Sequence, residues 1–268
     1  MRLWRVICFV FAATFVAACN VQSGKNHYIL AERLFGDRKY AAAVQEFQKI
    51  IESDPHGVLA QQALFRVGMI EMLYLKAYAD AVKSFRQFVL LSRNTKLVFQ
   101  AEKNMGEILL LRLEDYRPAV EQYRKLLEKY PDSLERDFFL LRLAKAYYGA
   151  LDFQKSIDAC RELVKQHPKG ELVAEALYHI GNTLFTRGDC DEAVKVFKEV
   201  LDRHPKSRQA VFAGFGMANC FEELEKPGDA LAAYRSILDR HPSRQIVEAK
   251  IRRLSEKQRH AEKKPHRR

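Results

Sequence analysis

The sequence lacks the short motifs that mark the common enzyme active sites. Its 268 residues contain no glycine-rich phosphate-binding loop, no zincin motif and no nucleophile elbow. Acidic residues are plentiful, but most fall on helix faces opposite an apolar stripe, where solvated charge is the default. We therefore expect no enzyme activity, no cofactor, no metal site and no small-molecule substrate.

Cysteine is scarce. Apart from Cys8 and Cys19 near the N-terminus there are three, Cys160, Cys190 and Cys220, and an odd number excludes a complete set of intrachain disulfides. We interpret Cys160 and Cys190 as small hydrophobes inside the fold, because buried free cysteine packs as one. A Cys190–Cys220 bridge in an oxidising compartment is the alternative.

The sequence also has no long apolar run after its N-terminal segment and no even spread of positive charge. Without a further run of 18 apolar residues, no second membrane span is predicted. The net charge of +11 is concentrated at the C-terminus, where residues 243–268 carry ten Lys and Arg against three Asp and Glu. Because residues 19–242 are nearly balanced, the charge does not predict a nucleic-acid partner.

What the sequence does contain is a fixed period. The period is marked by four prolines spaced 37 residues apart: Pro131, Pro168, Pro205 and Pro242. Pro55 lies 76 residues, or two periods of 38, before the first of them. A small residue twelve back, an aromatic eight back and an aliphatic five back precede these prolines, as Ala193, Phe197 and Val200 precede Pro205. A period in the 30s with helical internal spacing predicts a stack of helix pairs.

Each period predicts two helices and a stop. In residues 171–204, apolar residues recur at spacings of three and four, Gly188-Asp189 interrupts them, and a second apolar stripe follows. Proline then ends the pair. In the second repeat the proline is missing, and the first helix carries an extra residue near Leu73 to Lys76. Six pairs are predicted, with ends near Asp54, Arg93, Tyr130, His167, His204 and His241.

The last three of these ends raise the question of a metal site. His167, His204 and His241 occur one per repeat, so neighbours should lie roughly 10 Å apart, the distance between packed helices. Because a single metal ion needs its nitrogen ligands at about 2 Å, we interpret these histidines as punctuation of the repeat.

The segment from Ala176 to Pro205 resembles a tetratricopeptide repeat. The signature positions of that family are occupied by Gly181, Gly188, Ala193, Phe197 and Pro205. The resemblance covers roughly Asn26 to Pro242 and implies an all-α fold, a right-handed solenoid of about six helix pairs over residues 26–242. In the fourth repeat Ser156 and Cys160 replace the small and the aromatic residue.

A short apolar stripe follows the array and predicts a capping helix over residues 243–256, because terminal repeats need a cover. The stripe consists of Ile246, Val247, Ile251 and Leu254. Beyond it the chain is polar and basic, so we expect the helix to fray near Lys257 and residues 257–268 to be disordered.

The N-terminus predicts an export signal. Arg2 and Arg5 precede the eleven-residue apolar run Val6 to Val16, which is too short to span a bilayer. The sequence Val16-Ala17-Ala18-Cys19 resembles the lipobox of bacterial lipoproteins, which implies a signal peptide at residues 1–18, a lipidated Cys19, and a linker over residues 19–25. An ordinary secretory signal is the alternative. By analogy with enteric sorting rules, Asn20 points to a lipid-anchored protein at the periplasmic face of the outer membrane.

The resemblance also implies a binding surface, because the first helix of each pair lines the concave face in this family. Aromatic and amide side chains there suit an extended or helical peptide, although half of them are expected to pack between repeats. The twelve candidate peptide-binding residues are Tyr28, Phe35, Phe65, Met69, Lys145, Tyr148, Tyr178, Asn182, Phe185, Phe212, Phe215 and Asn219. Three of them, Lys145, Asn182 and Asn219, share one position in successive repeats and form a potential polar ladder.

A lipidated cysteine ahead of such repeats is similar to the outer-membrane lipoproteins exemplified by the D subunit of the barrel-assembly machinery. That similarity implies a scaffold for outer-membrane protein assembly, with protein or peptide partners in the envelope and membrane contact through the lipid. Two alternatives stay open. One is a pilotin-like lipoprotein for a secretin or pilus, and the other is an envelope scaffold that coordinates peptidoglycan synthesis or cell division.

Overall fold

The computed structural model describes residues 22–262, so the predicted signal peptide and Cys19 lie outside the described residues. All regular elements in that range are helices. The first, α1, covers 22–36 and therefore includes residues 22–25 of the predicted linker, where Gly24 is buried. The remaining helices are α2 Tyr40–Ser53, α3 Val58–Ile70, α4 Tyr78–Leu91, α5 Thr95–Leu111, α6 Tyr116–Lys129, α7 Arg136–Gly149, α8 Phe153–Gln166, α9 Val173–Arg187, α10 Cys190–Arg203, α11 Arg208–Glu223, α12 Pro227–Ile237 and α13 Arg244–Glu262.

Consecutive helices pack against each other within two compact units, whose boundary after Gln122 falls inside α6. In the first unit α2, α3 and α4 each contact the next helix. In the second, α7 to α13 do the same, and α9 also contacts α11, the first helix of the following pair. The fold is thus the predicted all-α series of six helix pairs with a thirteenth helix, and its packing is that of a tetratricopeptide solenoid.

The periodic residues form the core of each pair. In four of the repeats the small, aromatic and aliphatic positions are at most 2% exposed: Ala43, Phe47, Ile50, Ala119, Tyr123, Leu126, Ala193, Phe197, Val200, Ala230, Tyr234 and Ile237. The two replacements in the fourth repeat, Ser156 and Cys160, are fully buried as well. The Ser156 hydroxyl lies 3.1 Å from Nε2 of His179, so its burial is compensated by a hydrogen bond.

The turn inside each pair contains one residue in the left-handed backbone region. These residues are Arg38, Lys76, Glu114, Leu151, Gly188 and Glu225, with φ between 51° and 92°. Five of the six are not glycine, so most of these turns hold a side chain in a conformation that L-residues adopt at a cost of about 1–2 kcal/mol.

The extra residue predicted in the second repeat corresponds to a π-helical turn, Glu71–Leu75, which continues α3. Burial raises the pKa of the Glu71 carboxyl, which accepts a 2.8 Å hydrogen bond from the Ser84 hydroxyl. The 18 residues Val58–Leu75 are apolar enough to cross a membrane by length and composition. However, Val67 and Ile70 belong to the core that α3 forms with α1 and α2, as in a helix of a folded domain.

The thirteenth helix covers the last pair. Val247 and Leu254 are buried in the core formed with α11 and α12, and Ile251 packs against it. Ile246 does not contribute to this cover, since 52% of it is exposed. The helix also continues to Glu262, past the predicted end near Lys257. Its last turns are rich in Lys, Arg, Gln and Glu, which have good intrinsic helix propensity and need no apolar contact.

Candidate functional site

All twelve candidate peptide-binding residues are half-buried in the structure. This intermediate exposure allows each side chain to pack within the fold on one side and to meet a ligand on the other. The contacts therefore decide which of them are structural and which lie together on one surface.

In the first unit, two of the candidates pack within their own helix pair. The Tyr28 ring meets the buried Phe47 ring edge-on, with centroids 5.3 Å apart. The Phe65 ring lies 5.9 Å from Phe85 and 5.2 Å from Phe88. These rings mainly fill the space between the first and second helix of their pairs. Met69 instead contacts the next pair, since its Sδ accepts a 3.5 Å hydrogen bond from the Asn104 amide on α5.

Phe35 lies in an aromatic cluster at the turn between α1 and α2. Tyr74 stacks on Tyr40 at 4.4 Å and meets the Phe35 ring edge-on at 5.3 Å. The Arg66 guanidinium lies 4.8 Å from the Phe35 centroid and is held by a bidentate pair to Glu32, at 2.8 and 2.6 Å. This cation is already neutralised by its own chain, so the cluster is mainly structural.

In the second unit, three candidates join a continuous line of rings, which we call the aromatic row: Tyr178, Phe212, His241 and Phe215. Tyr178 lies 6.1 Å from Phe212, and His241 lies 5.9 Å from Phe212 and 5.0 Å from Phe215. The sequence suggested only repeat punctuation for His241. Its place beside two phenylalanines of α11 depends on how the end of the sixth helix pair folds back on its first helix, about 26 to 29 residues earlier in the chain, which no local pattern shows.

The row is anchored on the core of the second unit. Tyr178 lies 6.2 Å from the buried Phe197, and Phe215 meets the buried Tyr234 at 5.5 Å. Burial also raises the pKa of the Tyr178 phenol, so the hydroxyl stays protonated at neutral pH. The result is a set of rigid, partly exposed rings with a phenol donor at one end.

Two members of the predicted polar ladder already have partners. The Lys145 ammonium forms a 2.6 Å ion pair with Glu175, and the Asn219 side-chain oxygen lies 3.2 Å from the Lys250 ammonium and 2.6 Å from the Tyr234 hydroxyl. Of the three, only the Asn182 side chain lacks a hydrogen-bond partner within residues 22–262. The ladder is therefore not a row of free polar groups.

The remaining candidates lie elsewhere in the second unit. The Tyr148 ring meets the His179 ring edge-on at 5.5 Å, and its hydroxyl lies 3.0 Å from Thr186 Oγ1. Burial, assisted by the charge of Lys145, lowers the pKa of His179 to about 4. Phe185 lines a separate small cavity of about 300 Å³ beside Cys190.

The three cysteines of the described range are buried free thiols, as predicted for Cys160 and Cys190. Burial raises the pKa of Cys160 to about 12, which makes it a poor nucleophile. Cys190 and Cys220 are both free and are not bridged to each other. Within residues 22–262, no group of three or more His, Cys, Asp and Glu side chains is arranged to hold a metal ion.

Comparison with protein families identifies the repeat. Family models of the tetratricopeptide repeat match residues 108–171, 141–208 and 212–243. The chain contains tetratricopeptide repeats. Arrays of tetratricopeptide repeats are generally scaffolds that bind proteins or peptides on an extended surface. None of the curated proteins compared with the chain matches it.

Solved structures of other tetratricopeptide arrays share the fold. A tetratricopeptide repeat protein from Parabacteroides merdae superposes with a TM-score of 0.58 and 15% identity, over 87% of each chain. PilW, a type IV pilus biogenesis factor, gives 0.54 and 17%, over 84% of this chain and 98% of its own. YrrB, a tetratricopeptide protein with an unusual peptide-binding site, gives 0.53 and 17%, over 76% and 96%.

Proposed function

We propose that the chain is a lipid-anchored periplasmic scaffold of the outer membrane that binds protein or peptide partners, in outer-membrane protein assembly. The observation that carries the proposal is the partly exposed aromatic row on a tetratricopeptide array. The lipobox-like sequence ending at Cys19 supports the lipid anchor. A lipidated cysteine ahead of tetratricopeptide repeats is similar to the outer-membrane lipoproteins of the barrel-assembly machinery, and this similarity supports the assembly role.

The aromatic row has the composition of a peptide-binding surface. Tyr178, Phe212 and Phe215 offer exposed ring surface to a peptide. The Tyr178 and Phe215 side chains lose little conformational entropy when a peptide binds, because each already packs against a buried core ring. The Asn182 amide, which has no hydrogen-bond partner among residues 22–262, lies on α9, the helix that carries Tyr178, and can pair with a peptide backbone. Rigid rings beside a free amide favour an extended or helical segment rather than a small molecule.

Similarity to PilW over most of both chains favours a second candidate, a lipoprotein that escorts a pilus subunit or a secretin. A scaffold that coordinates peptidoglycan synthesis or cell division is the third. All three share the array and differ in the partner, so identification of the partner distinguishes them.

Membrane fractionation tests the anchor. Cys19→Ser should move the protein from the membrane to the soluble envelope fraction, because the acyl chains are lost, and globomycin should make the unsubstituted precursor accumulate. Cys8→Ser, which leaves the lipobox intact, is the matched control and should stay on the membrane. Membrane association that survives Cys19→Ser without any precursor accumulation would exclude the lipoprotein function.

Affinity capture from detergent-solubilised envelope tests the partner. Recovery of a barrel-assembly core supports the proposal, whereas recovery of a secretin or of peptidoglycan synthases supports the second or third candidate. Phe212→Ala should reduce the recovery by removing a ring from the aromatic row. Leu134→Ala, at a fully exposed leucine away from the row, should leave it unchanged. Equal loss in both variants would assign the binding to another surface.

A further inference from the structure

A second cavity lies at one end of the aromatic row, where the loop before α11 meets the loop before α13. Its volume is about 650 Å³, within the range of ordinary ligand sites. Three cationic side chains line it, Lys206, Arg208 and Arg240, and no acidic side chain of the described residues does. Val211, Phe212 and Pro242 form its apolar part.

The three cations are not neutralised by any carboxylate in the part of the chain that the structure describes. None of them forms an ion pair with a carboxylate in the described range, residues 22–262. Arg240 is fixed by a 2.7 Å hydrogen bond to the carbonyl oxygen of Pro205, and the Arg208 guanidinium lies 5.3 Å from the Phe212 centroid. The carboxylate next to Arg240 in sequence, Asp239, is paired with Arg244 at 2.9 Å.

The preceding repeat shows what a neutralised version of this loop looks like. Arg203, 37 residues before Arg240, makes the equivalent hydrogen bond, 3.2 Å to the carbonyl oxygen of Pro168, and is paired with Glu199. In the sixth repeat the position of Glu199 is taken by Ser236. The same loop therefore keeps its structural arginine but loses the carboxylate that neutralised it.

A second position changes in the same direction. The residue 37 before Arg208 is Glu171, so a negative charge in the fifth repeat becomes a positive one in the sixth. Lys206 is matched by Lys169 and is common to both loops. The fold does not need the excess charge, because the neighbouring pair forms the same turn without it.

We propose that this cavity binds an acidic segment of a protein partner. Carboxylates of the segment pair with Arg208, Arg240 and Lys206, and an apolar side chain between them packs on Val211 and Phe212. Phe212 belongs to both the cavity and the aromatic row, so a segment seated here continues along the row. The inference rests on the proposed protein-binding function and not on the lipid anchor.

Fluorescence anisotropy with the purified full chain tests the proposal. The probe is a short fluorescein-labelled peptide in which acidic residues flank one phenylalanine. We expect saturable binding that weakens as salt rises, because the contacts lie at a solvent-exposed rim. A peptide with Gln and Asn in place of the acids, and one with Ser in place of the phenylalanine, should each bind about tenfold more weakly or not at all.

Arg208→Glu is the decisive variant, since it restores the charge that the fifth repeat carries at this position and should fold normally. We expect it to weaken binding by about tenfold, because an attractive contact becomes repulsive. Lys169→Glu is the matched control in the neighbouring loop and should change the affinity by less than about twofold. Thermal melts of both variants check that each is folded.

Three outcomes would overturn the proposal. They are absence of saturable binding, equal loss of affinity in Arg208→Glu and Lys169→Glu, and displacement of the acidic peptide by inorganic phosphate or by phosphatidylglycerol vesicles under conditions in which sodium chloride of the same ionic strength does not displace it. The last outcome would assign the cavity to a phosphate group. Because the binding measurement uses a defined peptide in solution, its failure leaves the anchor and capture experiments unaffected.

Discussion

Replacement of Gly181 by alanine is the sharpest test of how the helices of a pair approach each other. A Cβ atom at Gly181 on α9 would lie 2.5 Å from Cε1 and 2.6 Å from Cδ1 of Phe197 on α10. The ring cannot move away freely, because on α11 a Cβ at Gly216 would lie 2.6 Å from the same ring. Phe197 is therefore held between two glycine backbones and is 1% exposed.

Two opposing effects set the size of the change. Overpacking of a closed core costs about 1–3 kcal/mol, while alanine gains about 1 kcal/mol over glycine inside a helix. We expect Gly181→Ala to lower the free energy of unfolding by up to about 2 kcal/mol, and the Tm with it. Gly228→Ala is the control, because a Cβ atom there would have no other atom within 4 Å and the substitution should be neutral or slightly stabilising.

Urea denaturation of the single and double variants measures the contact directly. Phe197→Leu should destabilise the wild type, since it leaves a cavity, but should cost much less in the Gly181→Ala background, where it removes the clash. A Gly181→Ala protein as stable as the Gly228→Ala control would refute the packing of Phe197 against α9. Additive effects of Gly181→Ala and Phe197→Leu would do the same.

Backbone conformation and buried charge give three further predictions. Leu151→Gly should raise the free energy of unfolding by about 0.5–1 kcal/mol, because glycine adopts the left-handed backbone conformation of Leu151 without steric strain. Gly188→Ala should lower the free energy of unfolding by about 1 kcal/mol, because alanine would be strained in the same conformation. Urea titrations of the two variants measure both changes. The pKa of His179 is near 6.5 in the unfolded chain and about 4 in the folded chain. The free energy of unfolding should therefore fall as the pH drops from 6.5 to 4, by up to about 1.4 kcal/mol per pH unit. In His179→Gln this loss should be smaller, as thermal melts across the same pH range would show. Burial raises the pKa of Glu71, so its ionised form destabilises the fold as pH rises, and Glu71→Gln, which keeps an acceptor for Ser84, should raise the Tm at about pH 8 more than at about pH 5.

The helix pairs could be predicted from the sequence because their causes are local. Five of the six pairs end just before a proline, and an apolar stripe at helical spacing predicts the extent of the helices without reference to the rest of the chain. The buried triads, such as Ala193, Phe197 and Val200, follow from the same spacing. Even the π-helical turn at Glu71–Leu75 was signalled by one surplus residue, since helices absorb an insertion as a wider turn.

The contents of the site could be predicted only in part, because they depend on contacts between residues that are far apart in the sequence. The spacing placed Tyr178, Phe212 and Phe215 on first helices, and the structure brings them into one row. It did not show that His241 joins them. Nor did the spacing show that the Lys250 ammonium, 31 residues beyond Asn219, donates a hydrogen bond to the Asn219 side chain, a member of the predicted polar ladder.

A repeat array supplies its own comparison, because each position has equivalents in neighbouring pairs. Some departures from the repeat are compensated inside the fold: the buried Ser156 hydroxyl meets His179, and the missing aromatic at Cys160 is filled without exposing the core. The change from Glu171 to Arg208 has no such compensation, since no carboxylate of the described residues pairs with the new charge. A compensated departure is explained by packing alone. The uncompensated change at Arg208 instead leaves three cations around a partly apolar cavity, and the carboxylates of an acidic partner would neutralise their charge.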